Sequence, residues 1–368
     1  MVHFTLIQDG PQLAEAAQHW EKCTELALDL ECENGLHHYG TYIALFQISD
    51  RHRHWIVDPL AVDAKPLIKV LENPQVQKVF HDISFDFRIL NFQYRCRPRN
   101  FYDTQLAALL LGREKIGLGP LLKELLRVHQ EKKFQRFDWT RRPLSRTMLN
   151  YAVNDTAHLL ALKDILLREL QVKWRRHWLE QECAYLETVE FTHEDQKYSD
   201  LSGFKSLPPS GKAVLRVLFS ERDRLARIVD RPVFMIFNNK LLLSMAQNPP
   251  ISEKFFQELP GVHPLVKREA AVLVGIVKKA CSGPGELLLK EAKLRLPQAE
   301  FLALNALLEK RTEIARGLGI QGRLLCSEEQ ARRIVQQKSW QPLRPWQWEI
   351  LEKDEKVKFL VSIEKCVY

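Results

Sequence analysis

A mixed α/β domain followed by helical domains is the fold that this sequence predicts, and three observations predict it. Short apolar segments alternating with period two interleave with helix-like segments up to about residue 103. From Asp103 onward helical spacing of the apolar residues takes over. Two breaks rich in Gly, Pro and Ser, Leu207-Pro208-Pro209-Ser210-Gly211 and Cys281-Ser282-Gly283-Pro284-Gly285, then divide the remainder. A length of 368 residues agrees with two or three domains.

The elements follow in order. Phe4–Ile7 reads as a short strand and Gln12–Cys23 as an amphipathic helix. Glu25–Glu31 alternates in and out as a half-buried strand does, and Tyr42–Ile48 and His54–Val57 follow it, joined by the polar turn Ser49–Arg53. Ala64–Leu71 is helical, Gln77–Phe80 a strand, and Phe85–Phe92 helical again. Consecutive strands followed by strands separated by helices imply a mixed sheet with helices on its faces. Thr147–Glu169 contains neither Gly nor Pro and predicts one long helix.

The polar run Thr192–Ser202 marks a linker, so the expected domains are residues 1–190, 208–285 and 290–368. Few contacts are expected to cross that linker, so a chain ending near Thr192 should fold alone. The two helical segments echo each other. Leu225-Ala226-Arg227 recurs as Ile314-Ala315-Arg316, an offset of 89 residues, and Arg222 matches Arg311 at the same offset, which predicts an internal duplication.

Composition narrows the function classes. Lys and Arg number 54 against 46 Asp and Glu, a net charge of +8, which points to a polyanionic partner such as nucleic acid. The longest uncharged apolar stretches, Thr104–Gly112 and Ala270–Val277, fall far short of the roughly 18 residues a membrane span needs. Met1–Gly10 has no basic start and no apolar run, so no secretory signal is expected. The seven cysteines form no CxxC pair, which argues against a zinc ribbon, a disulfide scaffold or a thioredoxin-type site. No Gly-rich phosphate loop of the Walker type occurs. A reduced, soluble, monomeric cytoplasmic protein is expected.

The candidate chemistry lies in the carboxylates. Asp29 and Glu31, two apart on an otherwise apolar strand, project from one face while Leu28 and Leu30 project from the other. Like charges that close require a cation, and hard divalent ions prefer carboxylate oxygens. Tyr151 and Asp155, spaced i, i+4, share one face of the long helix, and Asp86 sits near the start of another. His37-His38 and His52-x-His54 have chelating spacing but read as surface residues of turns. Lys123–Arg146 carries eight basic residues against three acids and leads into the helix of Tyr151, so phosphate contacts are expected from part of it. Lys173-Trp174-Arg175-Arg176-His177-Trp178 suits either base stacking or a helix end docked on the next domain, with docking preferred.

Asp-x-Glu on a strand, then Asp, then Tyr-x-x-x-Asp on a helix resembles the DEDD superfamily of 3′-to-5′ exonucleases, in its tyrosine-bearing branch. Asp103–Gly112, Asp138-Trp139, Arg142-Pro143-Leu144 and Tyr151–Asp155 narrow the resemblance to the ribonuclease D family over about residues 1–170. Residues 210–280 resemble the HRDC module, and the segment after 290 a divergent copy. Asp82-Ile83 stands where small residues are expected after His81. The resemblance implies a ribonuclease H-like α/β exonuclease domain followed by two all-α HRDC-like domains. It implies two divalent ions, Mg²⁺ or Mn²⁺, on Asp29, Glu31, Asp86 and Asp155, with Asp29 bridging both. Glu31 and Asp155 would complete the site of the ion that activates water, Asp86 would hold the other, and Tyr151 would orient the water. His81, Arg141 and Arg142 are candidate substrate contacts. The implied reaction is removal of nucleoside 5′-monophosphates from single-stranded 3′ ends of RNA, tRNA precursors included. A DNA-directed exonuclease and an inactive RNA-binding protein are the alternative readings.

Overall fold

The computed structural model describes residues 2–130, 133–134, 136–190, 196–283 and 296–362. Lys132 of the basic run, residues 290–295 and 363–368 of the third expected domain, and residues 192–195 of the linker lie outside them.

The first half begins β1 (Thr5–Ile7), α1 (Gly10–Trp20), β2 (Glu25–Asn34), β3 (Thr41–Ser49), β4 (His54–Val57), α2 (Lys65–Glu72), β5 (Gln77–Phe80) and α3 (Ile83–Tyr94). It continues β6 (Phe101–Asp103), α4 (Thr104–Leu110), α5 (Leu118–Leu121, prolonged by a π-helical turn to Leu126), α6 (Arg146–Ala157), α7 (Leu159–Val172) and α8 (Arg176–Thr188). The strands form one sheet in the order β1-β4-β3-β2-β5-β6. β3 runs antiparallel to β2 and β4, while β1, β5 and β6 pair in parallel, so the sheet is mixed as the segment order implied. β6 was not anticipated, because three residues are too few for period two to register.

The expected single helix over Thr147–Glu169 is two. The chain breaks at His158, whose φ of −111° and ψ of 0° end α6 and start α7. Neither Gly nor Pro marks this break, so the sequence carries no signal for it. The break lets α6 lie over β3 and β4 while α7 packs on α4.

The second half is helical: α9 (Pro209–Val229), α10 (Val233–Ile236), α11 (Asn239–Gln247), α12 (Glu253–Glu258), α13 (Pro264–Arg268), α14 (Ala270–Ser282), α15 (Gln298–Leu318), α16 (Gly322–Leu325), α17 (Glu328–Gln337), α18 (Pro345–Leu351) and α19 (Glu355–Ser362). The offset of 89 relates the first three helices of its two blocks, α9 to α15, α10 to α16 and α11 to α17. α9 and α15 are both 21 residues long, each followed by a left-handed cap, Asp230 and Gly319, and a four-residue helix. Arg222 Nη1 donates to the Phe237 carbonyl at 3.3 Å, and Arg311 Nη1 to the Cys326 carbonyl at 2.8 Å. Those acceptors are also 89 apart.

The two blocks pack differently. Residues 201–280 bury a core of their own around Leu215, Leu218, Phe237 and Phe256. The last block instead shares one continuous apolar core with the sheet domain. Trp346 of α18 stacks on Trp178 of α8, centroids 4.6 Å apart and planes at 20°. Its Nε1 donates to Glu182 Oε1 at 2.9 Å, and Arg344 Nη2 donates to Glu182 Oε2 at 2.6 Å. Arg175 donates to the Leu318 carbonyl. Gly112 must be glycine: its φ is +82°, and a Cβ there would lie 1.9 Å from the Gly319 carbonyl oxygen. Lys173–Trp178 thus docks the third domain. The expectation that few contacts cross the linker is corrected, because the last block returns to the sheet domain and shares its core, and the linker's composition says nothing of contacts made beyond it.

Residues 209–283 touch the sheet domain through the β2–β3 hairpin. Tyr39 Oη donates to Asp223 Oδ1 at 2.8 Å, and its amide donates to Asp230 Oδ1 at 3.1 Å. His38 Nδ1 lies 2.7 Å from Asp230 Oδ2.

Candidate active site

β2 is a central strand, flanked by β3 and β5, and its apolar face buries Leu28 and Leu30 in the core. Alternation therefore forces Asp29 and Glu31 onto the opposite face. A bulge between Glu31 and Cys32 shifts the register with β3 directly after the pair.

Asp86 comes to the same place through α3. Asp82 enters that helix in the left-handed region, φ +65°, and makes no side-chain cap. Asp103, at the end of β6, supplies the cap instead: its carboxylate accepts the amides of Asp82 and Ile83 at 3.1 Å each. It also accepts those of Gln105 and Leu106, at 2.8 and 3.1 Å, at the start of α4. One buried acid thereby holds the first turns of two helices, and Asp86 lies one turn into α3. Sequence reading passed Asp103 over as a site-building residue, although an Asp ahead of a helix is a cap signal.

α6 brings Tyr151 and Asp155. Ser145 caps it, accepting the Met148 amide at 3.3 Å, and Met148, Leu149, Ala152 and Val153 pack on Ala44, Leu45, Ile56 and Trp139. Tyr151 stacks on Trp139, centroids 6.0 Å apart at 27°, and meets Phe134 edge-on at 5.4 Å. Gln130 donates from its amide nitrogen to Asp155 Oδ1. No spacing or motif signalled Gln130.

The electrostatics record the convergence. Burial pushes Asp29 up to about 7. Burial, then the charges of Asp29, Asp155 and Asp86, raises Glu31 well above the usual carboxylate range. Asp86 and Asp155 are raised too, first by burial and next by Asp29. The Tyr151 phenol is raised by burial, then by Asp155, Glu31 and Asp29, so it stays protonated near neutrality. Gln47, cross-strand from Asp29, is fully buried, and neither atom of its amide has a partner among the described residues. Four carboxylates, Asp86 and Asp155 buried and Asp29 and Glu31 half-buried, all hard oxygen donors beside an unsatisfied amide, fit hydrated divalent cations.

The candidate substrate contacts separate from one another. Arg142 is committed to the fold: Nε and Nη2 grip Asp58 at 2.6 and 2.7 Å, Nη1 donates to the Trp139 carbonyl at 2.7 Å, and Nη2 to the Ala44 carbonyl at 2.9 Å. With its donors spent inside, it fits a role in holding the Trp139 segment better than phosphate binding. Arg141 is exposed, with Nε on Asp138 Oδ2 at 3.2 Å. His81 Nδ1 pairs with Thr104 Oγ1 at 2.8 Å, and burial lowers its pKa to about 4, so it is neutral at physiological pH.

Comparison with known proteins identifies the family. The chain matches the family model described as 3′-5′ exonuclease over residues 4–171 and the HRDC domain model over residues 211–277. It is 30% identical over 300 residues to the ribonuclease D of Pseudomonas paraeruginosa, covering 80% of this chain and 76% of that one. The catalytic core of RRP6 from Trypanosoma brucei superposes with a TM-score of 0.68 at 28% identity, over 76% of this chain and 80% of that one. RNase D of Escherichia coli, an exoribonuclease involved in structured RNA processing, shares the fold at a TM-score of 0.72 and 23% identity, over 98% of this chain and 99% of that one. The chain belongs to the ribonuclease D family and is a 3′-5′ exoribonuclease built from a DEDD-type nuclease domain and an HRDC domain.

Proposed function

We propose that the enzyme shortens RNA from its 3′ end by two-metal hydrolysis, releasing nucleoside 5′-monophosphates, and that tRNA precursors and other structured RNAs are its substrates. The carrying observation is the convergence of Asp29, Glu31, Asp86 and Asp155: the charge of Asp29 raises the other three, Asp155 and Asp86 raise Glu31 further, and no lysine or arginine is ion-paired to any of the four among the described residues. These four would hold the two divalent ions, Mg²⁺ or Mn²⁺, which when bound make water acidic and neutralise charge on the phosphate. Tyr151, kept protonated by its surroundings, donates a hydrogen bond that orients the water rather than removing its proton. Gln130 sets the rotamer of Asp155, and Trp139 and Phe134 set the plane of the Tyr151 ring.

The test follows 5′-end-labelled single-stranded RNA and DNA with Mg²⁺, Mn²⁺ or EDTA. A ladder of single-nucleotide steps on RNA, abolished by EDTA, is expected, and cleavage that survives EDTA would overturn the metal assignment. Tyr151→Phe should slow single-turnover cleavage about tenfold to a hundredfold, the range for losing a group that supports a metal site from outside it. Its rate should still saturate at the wild-type Mn²⁺ concentration. A shifted metal dependence with an unchanged plateau would count against the orienting role.

A further inference from the structure

The tip of the β2–β3 hairpin assembles a second ligand set, apart from the four catalytic carboxylates. The sequence suggested that His37-His38 was surface. The structure instead places His37 Nδ1 3.3 Å from Glu33 Oε2, and one ligand atom each of Glu33, His37 and Asp138 lies within 4.8 Å of the others. His38 Nε2 stands 3.5 Å from Asp138 Oδ2. Both carboxylates are buried, Glu33 at 2% exposure and Asp138 at 8%.

Each carboxylate spends one oxygen on local structure and turns the other toward the histidines. Glu33 Oε1 accepts the amides of Leu36 and His37 at 2.6 and 3.0 Å. Asp138 Oδ1 accepts the Thr140 amide at 3.1 Å and the Thr140 hydroxyl at 2.5 Å. Glu33 Oε2 faces His37 Nδ1, and Asp138 Oδ2 faces His38 Nε2. Beyond the histidines, the cation recorded at this cluster is the exposed Arg141, on Asp138 Oδ2.

We propose that Glu33, His37 and Asp138 form a binding site for a divalent ion of the zinc class. Two carboxylates and one imidazole are a three-ligand set of the kind zinc accepts, with the fourth position left to water or to His38 Nε2. An imidazole in the set disfavours Mg²⁺, which takes oxygen ligands, so this site and the all-carboxylate catalytic site select different ions. Its position gives the ion a structural consequence. It ties the hairpin tip to Asp138, and the next residue, Trp139, carries the stacked ring of Tyr151.

The test counts zinc on the full-length protein by equilibrium dialysis with excess Mg²⁺ present, comparing wild type with His37→Ala and Asp138→Asn. Both variants should bind one equivalent fewer than wild type. Ions held elsewhere, at the catalytic carboxylates or at His19, Cys23 and Asp50, cancel in that difference. Zinc should raise the Tm of wild type more than that of His37→Ala. His37 is partly exposed and outside the catalytic set, so His37→Ala should keep Mg²⁺-dependent activity on short RNA; should it misfold, His37→Gln serves for the same count. Equal zinc stoichiometry in wild type and a folded His37 variant would overturn the site and leave His37 as a partner of Glu33, and His38 of Asp138 and Asp230.

Discussion

Asp29→Asn should leave a folded protein whose RNA cleavage is down by more than about a hundredfold. Removing a group that only supports a metal ligand costs 10–100-fold, and Asp29 is assigned as a ligand to both ions, so that range is the floor. The same change should stabilise the metal-free protein. In the folded state Asp29 holds its proton up to about pH 7, against 3.8 when free. A carboxyl with a raised folded pKa binds its proton more tightly in the native state, so metal-free stability declines as pH climbs from about 4 toward 7. The amide removes that penalty. In EDTA the variant should melt above wild type by roughly 1–3 kcal/mol near pH 7.5, one pKa unit being worth about 1.4 kcal/mol. The gap should close near pH 4, and millimolar Mn²⁺ should reverse the order. Activity within tenfold of wild type, or a Tm gap that ignores pH, would remove Asp29 from the centre of the site.

Trp346→Ala should be the most damaging substitution outside the active site, costing about 3–5 kcal/mol. The indole is 1% exposed, stacks on Trp178 and donates to Glu182, which is itself 8% exposed. Truncation would open a cavity in the shared core and take a partner from a buried carboxylate, and the two costs add. Urea unfolding followed by activity and by far-UV circular dichroism checks this. Both signals should move to lower urea together, because one core serves nuclease and third domain alike. A stable nuclease with only the C-terminal helices lost would mean that the two cores are separable.

Much of the nuclease domain was legible because its signals are local. Period two marked Glu25–Glu31, and a strand bearing two acids on one face is rare enough to point at chemistry. The candidate set was chosen for another reason: Asp29, Glu31, Asp86, Tyr151 and Asp155 occur in an order that a known family shares. What the sequence hid was non-local. Gln130 reaches Asp155 across 25 residues, and Trp346 reaches Glu182 across 164, distances at which no periodicity operates. His158 breaks a helix without Gly or Pro, so propensity was silent there. Arg142 looked like a phosphate ligand because its buried acceptor, Asp58, lies 84 residues upstream.

The packing of α18 against α8 bears on how the HRDC block can move. The chain leaves the nuclease at Thr188, the end of α8, passes through α9 to α14, and returns so that Trp346 meets Trp178 on the same helix. The HRDC block is therefore a loop closed at its base, not a pendant on a single tether. Its excursions are bounded from both ends, so its distance from the active-site mouth is set by the closed ring rather than by a linker's random walk. At the far side Tyr39 and His38 meet it, through Asp223, Arg227 and Asp230. Breaking that small contact would let the block swing as a bucket handle swings, without changing the number of its anchors. Opening it costs little more than a few hydrogen bonds, while the base that joins the last block to the nuclease core stays shut.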